Sequence, residues 1–164
     1  MEQTHFIKML IVLFCLNSCT SKHDNYLNKG LYELQNKVAV NKTVITGFEI
    51  QTLGIIKSEE QENTYDFVFL LNDDISHSLI NTYNISLKAQ PFEDPKDENQ
   101  LTTKQLLWDF KPEILKKNRH KYIVTTVSTT LSRIKELKFS LYSREDNQAK
   151  TFGEVITIGN IAIY

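Results

Sequence analysis

The residues closest to a catalytic pattern surround His77. Ser76 and Ser78 flank this histidine, and Asp73 and Asp74 lie a few positions earlier. A serine, a histidine and an aspartate can form a nucleophilic triad, in which the imidazole accepts the serine proton and the carboxylate orients the imidazole. A triad is defined by its geometry in space, which proximity in sequence does not supply. We therefore favour a polar loop with an ordinary histidine and assign no catalytic residue.

A second cluster consists of acidic side chains in a loop that precedes a short apolar segment. Carboxylate oxygens are suitable ligands for Ca²⁺. The cluster lacks the D-x-[DN]-x-[DN]-G spacing of a calcium loop, and Lys96 lies in its middle. We expect a solvated turn here, with no bound metal or cofactor. The acidic residues are Glu93, Asp94, Asp97 and Glu98.

Trp108, Asp109 and Tyr142 are the residues with which the chain could bind a glycan. An exposed tryptophan can stack on a sugar ring while a neighbouring carboxylate accepts hydrogen bonds from its hydroxyl groups. The alternative is that Trp108 fills the core, because large aromatic side chains contribute strongly to core packing. The packing alternative is favoured, and the glycan site remains the second hypothesis.

Residues 116–121 form a basic segment containing Lys116, Lys117, Arg119, His120 and Lys121. Such a segment could contact anionic lipid through electrostatic attraction. Alternatively, it is a solvated loop whose charges prevent the edge of a sheet from pairing with another chain. The second interpretation is favoured. Motif searches add no catalytic candidate, because the chain contains no G-x-S-x-G, phosphate-binding loop or H-E-x-x-H sequence, and we do not expect an enzyme.

The N-terminus has the pattern of an export signal. Every residue from Met9 to Leu16 is apolar, and Lys8 and the terminal amine precede this run. A helix that spans a bilayer needs about 20 apolar residues, roughly twice the length of this run. The segment is therefore expected to direct export and not to remain as a transmembrane anchor.

The residues that end this segment resemble the lipobox of bacterial lipoproteins. Leu16 lies three positions before Cys19 and Ser18 directly before it, whereas Asn17 departs from the small or β-branched residue typical of that family. The resemblance implies cleavage before Cys19 and acylation of its thiol and amine. Two or three acyl chains would make the anchor effectively permanent, since each buried CH₂ contributes about 0.8 kcal/mol. Thr20 follows the cysteine, and the resemblance then implies the outer membrane over the inner one.

Charge, cysteine content and length limit the functions and folds that the rest of the chain can have. The protein has 164 residues and a net charge of −1, which does not change if residues 1–18 are removed with Glu2 and Lys8. A near-neutral chain is not expected to bind nucleic acid, which requires a basic face. Cys15 and Cys19 are the only cysteines, so a mature chain beginning at Cys19 has no disulfide within its domain. Its length suits one domain.

Period-two patterns dominate after residue 43. Residues 65–71 have apolar side chains in both phases, as expected of a central strand, and residues 83–90 alternate regularly between apolar and polar. Phase changes predict a bulge near Gln51-Thr52, or two short strands there, and a bulge near Gly159-Asn160. One helical turn is predicted between Asn72 and Leu79. Further apolar or β-branched segments occupy residues 106–110, 122–128, 137–141 and 155–163.

These patterns predict an all-β fold, an antiparallel β-sandwich of immunoglobulin-like architecture with about seven strands. The expected organisation is a signal peptide at 1–18, a lipidated Cys19 with a polar tether at 19–43, and the sandwich at 44–164. The predicted function is a lipid-anchored, non-enzymatic protein of the cell envelope that binds an envelope protein or serves as an accessory subunit. A carbohydrate-binding module is the alternative.

Overall fold

The computed structural model describes residues 37–59, 61–92, 105–117, 119–145 and 148–163. Nine strands and one short helix occupy these ranges: β1 Lys37–Ile45, β2 Phe48–Lys57, β3 Thr64–Leu71, α1 His77–Asn81, β4 Asn84–Pro91, β5 Leu106–Phe110, β6 Ile114–Lys117, β7 His120–Ser128, β8 Arg133–Glu145 and β9 Gln148–Ala162. The predicted signal peptide, Cys19, the acidic loop and the tether as far as residue 36 lie outside the described residues.

The strands form two antiparallel sheets, which confirms the all-β prediction. Sheet A has the order β1-β2-β3-β7-β6, and sheet B has the order β5-β4-β8-β9. Every described strand pair is antiparallel. All the described residues belong to one compact unit.

The two sheets share one hydrophobic core. Phe139 of sheet B contacts two aromatic rings of sheet A, with ring centroids 6.0 Å from Phe48 and 5.1 Å from Phe69. All three side chains are almost fully buried. Strand β3, the third of five strands in sheet A, is buried along nearly its whole length. The prediction that residues 65–71 form a central strand is therefore confirmed.

Two strands differ from the sequence prediction, which explains nine strands in place of seven. Strand β1 begins at Lys37, so residues 37–43 belong to sheet A and the tether boundary at residue 43 was placed too late. Strand β6 overlaps the start of the basic segment 116–121, which was expected to be a loop. Both are edge strands. An edge strand has one neighbour, so fewer of its side chains are buried and its apolar alternation is weaker.

One of the two predicted bulges is present. The pairing of β2 with β3 shifts between Ile50 and Thr52, where the phase change in β2 predicted it. At Gly159-Asn160 the pairing of β8 with β9 runs without a shift. The buried residues Ile134 and Leu137 of β8 are three positions apart, as are their partners Ile161 and Ile158 of β9. The two strands therefore stay in register, and the prediction of a bulge here was wrong.

Candidate functional site

The loop that contains His77 is organised as a helix start. Ser76 is the N-cap of α1, and its Oγ accepts a hydrogen bond from the backbone N–H of Leu79 at 3.2 Å. The hydroxyl oxygens of Ser76 and Ser78 lie 3.2 Å apart. The carboxylate of Asp73 lies 3.6 Å from Nδ1 of His120. Both serines and this aspartate therefore have contacts other than His77, as the polar-loop interpretation expects.

The same loop is hydrogen-bonded to residues at the ends of β2 and β7, the two strands that pair with β3 in sheet A. The side-chain Oδ1 of Asn72 accepts a hydrogen bond from the Glu49 N–H at 2.9 Å, and the Asn72 amide nitrogen donates to the Gly47 carbonyl at 3.4 Å. The ammonium of Lys121 donates to the carbonyl oxygens of Asp73 and Ile75. These contacts fix the path of the chain between β3 and α1. The polar side chains that make these contacts therefore have a structural role.

Trp108 faces the core. It pairs with the buried Leu87 across β4 and β5, so its ring points between the sheets, and its centroid lies 6.2 Å from that of Phe67. The indole is half-buried and packs against the core cluster. The position of Trp108 supports the packing role that the sequence favoured.

Asp109 and Tyr142 lie on the other side of sheet B. Neighbouring residues of a strand point to opposite faces, so the exposed Asp109 cannot share a surface with the inward-facing ring of Trp108. Tyr142 is 8% exposed and pairs with Asn84 on the outer face. Its strand is two strands away from β5, which separates the Asp109 and Tyr142 backbones by about 12 Å. The structure does not bring the three glycan candidates together.

Replacing Trp108 with alanine is expected to lower the free energy of unfolding by about 2–3 kcal/mol, because it removes a large half-buried ring from the edge of the core. The loss is measured as a lower midpoint of urea unfolding. Asp109→Ala, one residue away on the solvent face, is the matched control and should change stability by less than about 0.5 kcal/mol. A Trp108→Ala protein as stable as the wild type would contradict the packing and favour the glycan hypothesis.

The basic segment forms a hairpin. Strands β6 and β7 pair as Lys116 with Lys121 and Lys117 with His120, and Arg119 at the turn has a φ of 72°. Lys116 and Arg119 are exposed. We call residues 116–121 the basic hairpin. Within the described ranges, no three His, Cys, Asp or Glu side chains come together as a metal site requires.

The sequence analysis did not single out the outer face of sheet A, which carries several apolar side chains. Val68 is 2% exposed but is not part of the core shared by the two sheets. The signal was present in the sequence, since Val68 and Leu70 are apolar residues opposite in phase to the core residues of β3. It was interpreted only as the mark of a central strand.

The described part of the chain contains no helix with the length and hydropathy that a bilayer crossing requires. Comparison with models of protein families gives no match, and comparisons with curated proteins and with solved structures give none either.

Proposed function

We propose that this protein is a lipid-anchored, non-enzymatic subunit of the bacterial cell envelope that binds another envelope protein. The observation that carries the proposal is the position of Cys19, directly behind the apolar run 9–16 and the lipobox-like residues Leu16 and Ser18. Acylation at Cys19 would hold the domain at a membrane surface, the outer membrane in a two-membrane cell. Attachment at that position leaves the domain to meet its partners outside the bilayer.

We further propose that the domain is an immunoglobulin-like sandwich with one additional N-terminal strand. Without β1, sheet A runs β2-β3-β7-β6, and sheet B runs β5-β4-β8-β9. If β2 to β9 are lettered A, B, C, C′, D, E, F and G, these orders become A-B-E-D and C′-C-F-G. They match the two sheets of an immunoglobulin fold that carries a C′ strand. The Cys…Trp…Cys pattern of true immunoglobulin domains is missing from the sequence, so the likeness concerns architecture.

The exposed apolar side chains of sheet B lie singly. Leu107 on β5 is 54% exposed and Val155 on β9 is 47% exposed, and these strands lie at opposite sides of sheet B. Single apolar residues of this kind are ordinary on a protein surface, so the binding role rests on the proposed attachment at Cys19. The serines beside His77 have hydrogen bonds that suit a structural role.

The anchor is tested by metabolic labelling with an alkyne-bearing fatty acid in bacteria that produce the full chain. The wild-type protein is expected to incorporate the label, and Cys19→Ala is expected to lose it completely. Cys15→Ala is the matched control, because Cys15 lies in the segment that processing removes, and its labelling should equal that of the wild type. Labelling that survives Cys19→Ala, or that depends on Cys15, would contradict the proposal.

The binding role is tested by crosslinking in the same cells. The tagged wild-type chain is expected to yield a reproducible crosslinked envelope protein after membrane isolation. Cys19→Ala should yield much less of it, because the domain is no longer concentrated at the membrane. A wild-type chain that is acylated but gives no crosslinked partner would retain the anchor and reject the binding role.

A further inference from the structure

The face of sheet A that points away from sheet B carries a continuous group of apolar side chains. Strand alternation places these residues opposite the core residues Phe67 and Phe69. The register joins Val68 to Val124, and Leu70 and Leu115 to Tyr122. We call this group the outer stripe. Its members are Ile56, Val68, Leu70, Leu115, Tyr122 and Val124.

Sheet B packs on the opposite face of sheet A, and none of the outer-stripe residues belongs to the core that the two sheets share. Apart from the buried Val68, its residues are half-buried, so each leaves part of its apolar surface exposed. At one end lies Asp66, which is 4% exposed and accepts a hydrogen bond from the Thr126 hydroxyl at 2.7 Å. The Asp66 carboxylate is already shielded from water in a single copy. Covering the outer stripe would therefore add little further desolvation cost.

The two ends of sheet A carry opposite charge. The basic hairpin lies where β7 begins, and its four Lys and Arg residues outnumber Glu49, Asp73 and Asp74 at the same end. At the other end, the β2–β3 turn has the sequence Ser58-Glu59-Glu60-Gln61-Glu62-Asn63. We call the described residues of this turn, 58–59 and 61–63, the acidic turn. The Thr129 N–H donates to the Asn63 carbonyl at 2.8 Å, which fixes this turn beside the end of β7.

From this arrangement we propose that the protein self-associates, with the outer stripes of two copies packed face to face around a two-fold axis. A two-fold interface uses the same surface of both copies, and an axis that runs across the strands makes the two sets of strands point in opposite directions. The basic hairpin of each copy then lies over the acidic turn of the other, and the apolar stripes cover each other between them. This dimer goes beyond the proposed function and does not depend on the lipid anchor.

The dimensions of the face set the expected strength of the dimer. Strand β7 is about 26 Å long from the basic hairpin to its end, and five strands span about 24 Å, which gives a flat area of about 600 Å². This is at the lower end of the area that each partner contributes to a specific interface. We therefore expect a reversible dimer that dissociates more readily at high salt, since its end contacts are charged.

The two-fold axis predicts one close contact between identical residues. Val124 is the midpoint of β7, so it lies nearest to its own copy across the axis. The domain has no other cysteine. The full chain with Val124→Cys, isolated with its membranes and exposed to a mild oxidant, is expected to form a disulfide dimer on a non-reducing gel. Val155→Cys, an exposed valine on sheet B, is the matched control and should remain monomeric.

Charge reversal tests the pairing of the ends in the same Val124→Cys background. Lys116→Glu with Arg119→Glu makes both ends acidic, and Glu59→Lys with Glu62→Lys makes both ends basic. Each pair of changes is expected to reduce the crosslinked fraction at least fivefold. Co-expression of the two reversed chains, carrying different tags, should restore a mixed dimer. Lys88→Glu with Lys135→Glu, on sheet B, makes the same change of charge and should leave crosslinking unchanged.

The dimer would be overturned by a Val124→Cys chain that stays monomeric, or by equal crosslinking of Val155→Cys. It would also be overturned if the mixed reversed chains failed to crosslink. Recovery in the mixture shows that the reversed chains are folded, and far-ultraviolet circular dichroism checks each chain separately. The chain without Val124→Cys, oxidised in parallel, measures any disulfide that an unacylated Cys19 would form, so the failure of the anchor and the failure of the dimer are distinguished.

Discussion

Replacing Gly153 with alanine is expected to destabilise the domain by about 3 kcal/mol. Gly153 has a φ of 69°, which costs a residue with a Cβ about 1–2 kcal/mol. An added Cβ would also overlap the Val44 carbonyl oxygen and the Ile45 Cγ2 of β1. Relief of that overlap requires the backbone of β1 to move, and overpacking of this kind costs about 1–3 kcal/mol.

The position of Gly153 explains why so small a change matters. It lies in β9 where the pairing with β8 shifts between Phe139 and Leu141, which is the bulge that the sequence analysis did not find. There β9 of sheet B meets β1 of sheet A, and the Lys42 ammonium donates to the Thr157 carbonyl at 3.3 Å. A side chain at Gly153 would separate two strands that join the sheets along one side.

The measurement is equilibrium unfolding in urea, in which a lower midpoint with an unchanged slope reports a loss of stability. Gly159→Ala is the matched control, because a Cβ there would meet the Lys135 carbonyl oxygen at an ordinary 3.7 Å. We expect that variant to lie within about 1 kcal/mol of the wild type. Equal midpoints for Gly153→Ala and Gly159→Ala would show that β1 does not lie against Gly153.

Replacing Phe139 with alanine is expected to cost about 3–5 kcal/mol, the usual cost of removing a buried phenylalanine side chain. Phe139 is fully buried, and its ring contacts Phe48 and Phe69 of the opposite sheet. The variant therefore leaves a cavity at the junction of the two sheets. Domains of this size have a total stability of about 5–15 kcal/mol, so the loss is a large fraction of it.

The same urea measurement checks this expectation. Leu107→Ala is the control on the outer face of sheet B, where a 54% exposed side chain should contribute less than about 0.5 kcal/mol. If Phe139→Ala unfolded at the wild-type midpoint, the ring would not be part of a core between the sheets. The packing of sheet A against sheet B would then have to be revised.

The elements predicted well are those whose burial repeats along the chain. Residues 65–71 are apolar in both phases, and they form the central strand of sheet A. The phase change at Gln51 is a change of pairing with β3. These features follow from the sequence because a buried strand imposes its two-residue period on side-chain chemistry.

The elements that were missed are those whose stability comes from neighbours far away in the chain. Residues 41–43 of β1 are all exposed, and Ile114 is the only buried residue of β6, so neither strand shows a strong alternation. The odd spacing of Ile158 and Ile161 was expected to mark a bulge, but β8 changes phase beside them and keeps the pairing intact. A phase change in one strand reveals a bulge only when its partner is known.

The candidate sites also depend on how distant segments of the chain pair. Strand alternation alone separates Trp108 from Asp109, so the sequence could have excluded their shared surface once residues 106–110 were recognised as a strand. The outer stripe required the register of four strands, which no single segment reveals. The pairing of the basic hairpin with the acidic turn required the relative direction of β3 and β7.

Lipid attachment at Cys19 can be measured directly as the intact mass of the protein extracted from membranes. We expect a chain that begins at Cys19, lacks residues 1–18 and carries the added mass of acyl chains. The same measurement on Cys19→Ala should find no acyl mass. An unmodified chain, or one cut at a different residue, would contradict the anchor and leave a domain without a lipid attachment.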